Sequence, residues 1–160
     1  MGFELLLQLF ARVFALRQQP QRSPFERGLC SHSRKELEQK LKPHEETPGE
    51  LAEALDFLAA KDFINEKRVV ESVVNRRASK LGAARVRQEL VAKGLPADDI
   101  AEAVDAMRST ELVRAMQVWR KRFGTPPSDA SERAKQVRFL VSRGFAPEVV
   151  RRVVAGADEL

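Results

Sequence analysis

Residues 93–104, KGLPADDIAEAV, and 143–154, RGFAPEVVRRVV, are one pattern written twice, fifty positions apart. Lys93 aligns with Arg143, Gly94 with Gly144, Leu95 with Phe145, Ile100 with Val150 and Val104 with Val154. In each copy a cation and a glycine precede a large apolar residue, and a proline-marked helix start follows. A repeat of this length constrains the fold more than any other feature. A unit of this size buries its apolar face poorly alone, and stacking against a neighbour completes the core.

The periodicity around the repeat is helical. Ala83, Val86 and Leu90 share one face of a helix ending at Gly94, a glycine suited to a left-handed C-terminal cap. Pro96, Asp98 and Asp99 open the next helix, which carries Ile100, Ala103, Val104 and Met107. Upstream, residues 66–80 form a helix with Asn65 as its cap, turning Val70, Val73, Val74 and Ala78 inward. The same three-helix order recurs. Residues 111–123 present Leu112, Ala115, Met116, Trp119 and Phe123, the stretch GTPPSD breaks the helix, and residues 131–143 present Ala134, Val137, Leu140 and Val141. Residues 147–154 close the unit.

An earlier, degenerate copy precedes these two. SRKELEQKL shares Glu-Leu-x-x-Lys with RVRQELVAKG, but its following helix comes later, 14 residues separating Leu37 from Leu51 where 10 separate Leu90 from Ile100. SRKE and TPGE both have the form of a capping box, so Ser33 and Thr47 are expected N-caps, with Pro48 at the first helical position. Leu37 and Leu41 then line one short helix, and Leu51, Ala54, Leu55 and Leu58 the next. The expected class is all-α, in tandem three-helix repeats forming an elongated, curved array. An aromatic content of 6% with no tyrosine suits helices better than sheets. The expected divisions are 1–31, 32–64 (an incomplete first repeat), 65–108, 109–155 and a tail at 156–160.

The first thirty-one residues stand apart. Residues 3–16 read as an amphipathic helix with Leu6, Leu9, Phe10 and Val13 on one side, and QQPQRSP reads as a linker. Glu4 and Arg12 interrupt the apolar run, and no small-residue cleavage site follows, so a secretory leader is not expected. The run is also too short and too charged to span a membrane. It can pack on the protein, remain poorly ordered or lie on a membrane surface.

Few residues suggest chemistry. His32 and His44 lie in polar stretches without partners at metal-ligand spacing, and Cys30 beside Ser31 and His32 has no oxyanion-binding loop near it. No phosphate-binding loop or dinucleotide fingerprint is present. No enzyme, no cofactor and no metal are expected. The lone Cys30 excludes an internal disulfide and suits a reducing compartment.

Charge is the remaining signal. Residues 108–152 hold eleven cations and four carboxylates, a larger excess than the +5 of the whole chain. Two readings stay open: a solvated helical surface, or a face that meets DNA phosphates or an acidic protein. Trp119 and Phe139 are likewise open, as core residues or as base-stacking platforms.

Taken in order, HSRKELEQKL, KDFINEKRVVESVVNRRASKLGAARVRQELVAKGLPADDIAEAV, RKRFG and ERAKQVRFLVSRGFAPEVVRRVV resemble the RecX family of regulatory proteins. The resemblance runs from about His32 to Val154, and its specificity lies in the ordered series of motifs. It implies tandem three-helix repeats and a cytoplasmic, non-enzymatic role, that of a monomer that binds the RecA recombinase and its DNA filament and modulates recombinase, ATPase and SOS coprotease activities. Weak, non-specific DNA contact is compatible with it, and no membrane is involved. Before His32 the chain departs from the family pattern. A helix should lead directly into the SR-x-EL helix, whereas QPQRSPFERGLC carries two prolines and Gly28 there. Either residues 3–16 replace that helix across a loop, or the segment stands outside the fold.

Candidate contacts to the partner or to the DNA backbone are Arg76, Arg77, Arg85, Arg87, Arg120, Lys121, Arg122, Arg133, Lys135, Arg138 and Arg143. Two other functions fit the helices. One is a helix-turn-helix DNA-binding protein, against which the acidic start at Asp98 and Asp99 argues, since phosphates repel it. The other is a helical protein–protein adaptor.

Overall fold

Ser33 opens the first described helix with a capping box. Its hydroxyl accepts the Glu36 N–H at 3.2 Å, and its own N–H donates to the Glu36 carboxylate at 2.9 Å. The computed structural model describes residues 32–156, so the expected helix at 3–16, the linker after it and Cys30 lie outside the described residues. Eight α-helices follow among the described residues, with no strand: α1 (Arg34–Leu41), α2 (Glu50–Ala60), α3 (Glu66–Arg77), α4 (Ala83–Ala92), α5 (Ala97–Ser109), α6 (Glu111–Arg122), α7 (Ala130–Ser142) and α8 (Pro147–Val154). A short 3-10 turn, Lys42–His44, follows α1. The all-α expectation holds.

The chain divides at Val69 and Val70 into two units. In the first, α1 packs on α2, and Leu51, Leu55 and Ile64 form a small core flanked by Leu37, Leu41 and Leu58. The start of α2 differs from the sequence expectation. Thr47 does not cap it; Thr47 to Glu50 is a turn closed by Glu50 N–H donating to the Thr47 carbonyl at 3.2 Å, with Gly49 at φ +96°. Proline followed by a glycine of positive φ is the signature of a type II turn, and here it overrides the capping box. The first N–H groups of α2 turn instead to the Glu45 carboxylate, which accepts from Gly49 at 3.0 Å and Leu51 at 3.4 Å. Asn65 caps α3 as expected, its side chain accepting the Arg68 N–H at 3.1 Å.

In the second unit α4 packs on α5, α5 on α6, and α8 on both α6 and α7. Val86, Leu90, Leu95, Ile100, Val104 and Met107 are buried along α4 and α5. Ala115, Trp119, Leu140, Phe145, Val150, Val153 and Val154 make the core of α6 to α8. The two copies of the sequence repeat have the same backbone. Gly94 N–H donates to the Val91 carbonyl and Leu95 N–H to Leu90, just as Gly144 donates to Val141 and Phe145 to Leu140. Both are Schellman caps, with glycines at φ +70° and +81°, and both bury their closing contact, Leu95 near Leu90 and Phe145 near Leu140.

Three inward positions differ from the sequence expectation. Val69 is fully buried in α3 although the periodicity began at Val70. Ala134 and Val141, expected on the inner face of α7, are exposed; that face is Gln136, Val137 and Leu140. The physical reason is Trp119, whose indole N–H donates to the Gln136 carbonyl oxygen at 2.7 Å and draws a polar residue inward. The Gln136 amide in turn donates to the Thr125 carbonyl at 3.3 Å.

Candidate functional site

The candidate cations fall on helix ends and outer faces. Arg76 and Arg77 are exposed in the last turn of α3, where positive charge favourably meets the helix dipole. Arg77 is committed to Glu89 on α4, with Nε 3.0 Å from a carboxylate oxygen. Arg120, Lys121 and Arg122 are exposed in the last turn of α6. At about 100° per residue, three consecutive positions sweep around the helix and cannot share one face. Arg133, Lys135 and Arg138 are exposed on α7, but only Lys135 and Arg138, one turn apart, point away from buried Leu140 together. Arg133 lies at the outer end of the stripe that includes Leu140. Arg85 and Arg87 likewise point to different sides of α4, and Arg85 donates to the Gln88 side chain at 3.2 Å.

Arg143 has an internal role. Its guanidinium lies 4.1 Å from the centre of the Phe139 ring, and Phe139 meets Phe123 edge to face at 5.1 Å. Trp119 is buried and bonded to Gln136, so it offers no platform for a base.

What sequence reasoning missed is the joint that positions these surfaces. Gly82 N–H donates to the Arg143 carbonyl at 2.9 Å, and Ala84 N–H to the Gly144 carbonyl at 3.3 Å. The amino end of α4 thus sits on the carboxyl end of α7, with donors of one helix meeting acceptors of the other. The approach is so close that a Cβ on Gly82 would lie 2.2 Å from the Gly144 carbonyl oxygen, and one on Gly144 would lie 2.6 Å from Arg85 Cβ. Arg85 and Arg143 are thereby brought to one place.

The first turn of α6 locks this joint. Buried Glu111 accepts the Ala83 N–H at 2.9 Å, capping α4 from another helix. One turn on, Arg114 donates to the carbonyls of Ala78 at 2.9 Å, Leu81 at 2.8 Å and Met107 at 2.7 Å. Burial pushes the Arg114 guanidinium below its usual range, and the Glu111 carboxylate pulls it partly back. The drop starts from so high a value that the side chain stays charged near neutrality. In the sequence, Glu111 and Arg114 look like an ordinary surface pair at i, i+3, so no local signal sets them apart.

Among the described residues no group of His, Cys, Asp and Glu is arranged to hold a metal ion, and no helix is long and apolar enough to cross a membrane.

Comparison with known proteins bears on these domains directly. Residues 65–104 match the model for the second three-helix domain of RecX, and residues 109–154 match that for the third. A regulatory protein RecX of Leptothrix cholodnii is 56% identical over 127 residues, covering 79% of this chain and 81% of its own length. One from Ralstonia pickettii is 48% identical over 129 residues, covering 81% of each chain. In fold, a crystal structure of RecX from Lactobacillus salivarius matches with a TM-score of 0.69 at 19% identity, over 99% of this chain and 96% of that one. A match on both three-helix domains and on relatives across most of its length makes this chain a member of the RecX family of regulatory proteins.

Proposed function

We propose that this chain binds the RecA recombinase filament on DNA and restrains it, lowering strand exchange, ATP hydrolysis and SOS coprotease activity. It acts as a cytoplasmic monomer without catalysing a reaction, with residues 65–108 and 109–155 as its second and third repeats. The observation that carries this reading is membership of a family of regulators through both three-helix domains. The joint between α4 and α7 supports it, because a fixed connection between repeats lets one chain reach more than one subunit of a filament. The exposed cations of α4 and α7 supply the charge for an acidic partner.

A helix-turn-helix mode is disfavoured. α5, the helix following the first glycine turn, opens on Asp98 and Asp99, which a phosphate backbone repels.

The deciding assay is RecA-driven ATP hydrolysis on single-stranded DNA with this protein added below one copy per RecA. Inhibition is expected; unchanged hydrolysis with a folded protein would favour the adaptor reading. On DNA alone, binding should be weak, indifferent to sequence and steeply dependent on salt. A tight, site-specific footprint at physiological salt would overturn the proposal in favour of a helix-turn-helix protein.

A further inference from the structure

Carried back from Gly94 and Gly144, the fifty-residue offset pairs the outer faces of α4 and α7. Ala84 pairs with Ala134, Arg85 with Lys135, Gln88 with Arg138 and Val91 with Val141. All eight are exposed. The two valines are exposed to the same degree, 50% and 49%, and are among the few large apolar side chains so open to water. Each stripe points away from a fully buried leucine, Leu90 in α4 and Leu140 in α7, and neither stripe holds a carboxylate. Core packing accounts for the repetition of Leu90 and Leu140. It does not account for a repeated valine and cation whose side chains stay exposed, although the first turn of α4 meets Gly144 at the joint.

The joint sets the two stripes in series. Because Ala84 N–H bonds the Gly144 carbonyl, the stripe of α4 begins where that of α7 ends. We propose that the two stripes are a duplicated docking surface for an acidic protein face that neighbouring subunits of a polymer each present. This rests on the filament reading above and names the surface that serves it. The exposed valine favours protein over nucleic acid as the occupant, since a phosphate backbone gains nothing from an apolar contact whereas a protein face buries one. The cation beside it, Arg85 or Lys135, selects an acidic rim.

The test measures binding of the full chain to RecA filaments on single-stranded DNA, and to the same DNA without RecA, at physiological salt. Arg85→Glu and Lys135→Glu should each weaken filament binding by about tenfold and to a similar extent, because losing either contact of a bivalent pair forfeits its avidity. The double variant Val91→Ser with Val141→Ser leaves every charge in place, and should weaken filament binding about fivefold with bare-DNA binding unchanged. Unfolding midpoints serve as the folding control, and these exposed positions should leave them near the wild-type value. Wild-type binding with no loss in any variant would overturn the docking surface and leave the regulator reading standing. Absence of wild-type binding would overturn both. Charge reversals that weaken filament and bare-DNA binding equally, with the valine variant silent, would assign the stripes to phosphates and overturn the protein partner. Loss confined to one repeat would overturn the duplication.

Discussion

Gly94, Gly144 and Gly82 separate two reasons for a glycine. Gly94, at φ +70°, needs the left-handed conformation of a helix cap, so Gly94→Ala should cost about 1 kcal/mol. Gly82, at φ −76° and ψ 166°, has a backbone that any residue adopts, and is excluded from other residue types only by the Gly144 carbonyl 2.2 Å from its missing Cβ. Gly82→Ala should therefore cost about 2 kcal/mol through overpacking alone. Gly144 carries both constraints, with φ +81° and Arg85 N at 2.5 Å from a built Cβ, so Gly144→Ala should cost more than the roughly 1 kcal/mol of its conformation alone. Urea unfolding of the three variants checks the order; equal losses at all three would show that the α4–α7 joint does not form. The sequence repeat makes Gly94 and Gly144 look equivalent, and their backbone conformations are. At Gly144 the approach of Arg85 adds a second constraint that the sequence does not announce.

At the scale of the element, helix ends were less legible than helices. TPGE satisfies two local rules together, a capping box and a type II turn, and the turn prevails because Gly49 takes positive φ. The cap then comes from Glu45, so Thr47→Ala should change stability by less than about 0.5 kcal/mol while Glu45→Ala loses about 1 kcal/mol. Thermal unfolding followed by circular dichroism separates the two; a larger loss at Thr47 would restore the capping box. The end of α3 gives the same lesson. Its helical pattern continues to Lys80, yet the helix stops at Arg77, residues 78–80 are a turn, and the carbonyls of Ala78 and Leu81 accept from Arg114. No residue near position 78 announces a donor thirty-six positions away.

At the scale of the whole molecule, polar groups tie the second three-helix domain to the third where α4 meets α7 and α6. Arg114→Met keeps much of the side-chain bulk but leaves three carbonyls without their donor, and should destabilise the chain by about 2 kcal/mol. Guanidinium chloride unfolding reads that loss; an unchanged midpoint would mean that water replaces the guanidinium freely. The sequence by itself determined the helices, their three-by-three order, the caps at Ser33, Asn65, Gly94 and Gly144, and most of the apolar faces. All of these depend on neighbours within a few positions, where periodicity and capping chemistry act. It also carried the family, through the order of its motifs. Only the tertiary structure decided that Gln136 turns inward to Trp119, that Ala134 and Val141 face out, and that Glu111 and Arg114 leave the surface to clamp a distant loop. The inward Gln136 and the clamp of Glu111 and Arg114 are hydrogen bonds between residues far apart in the chain, and a buried donor or acceptor takes whatever partner the packing brings to it.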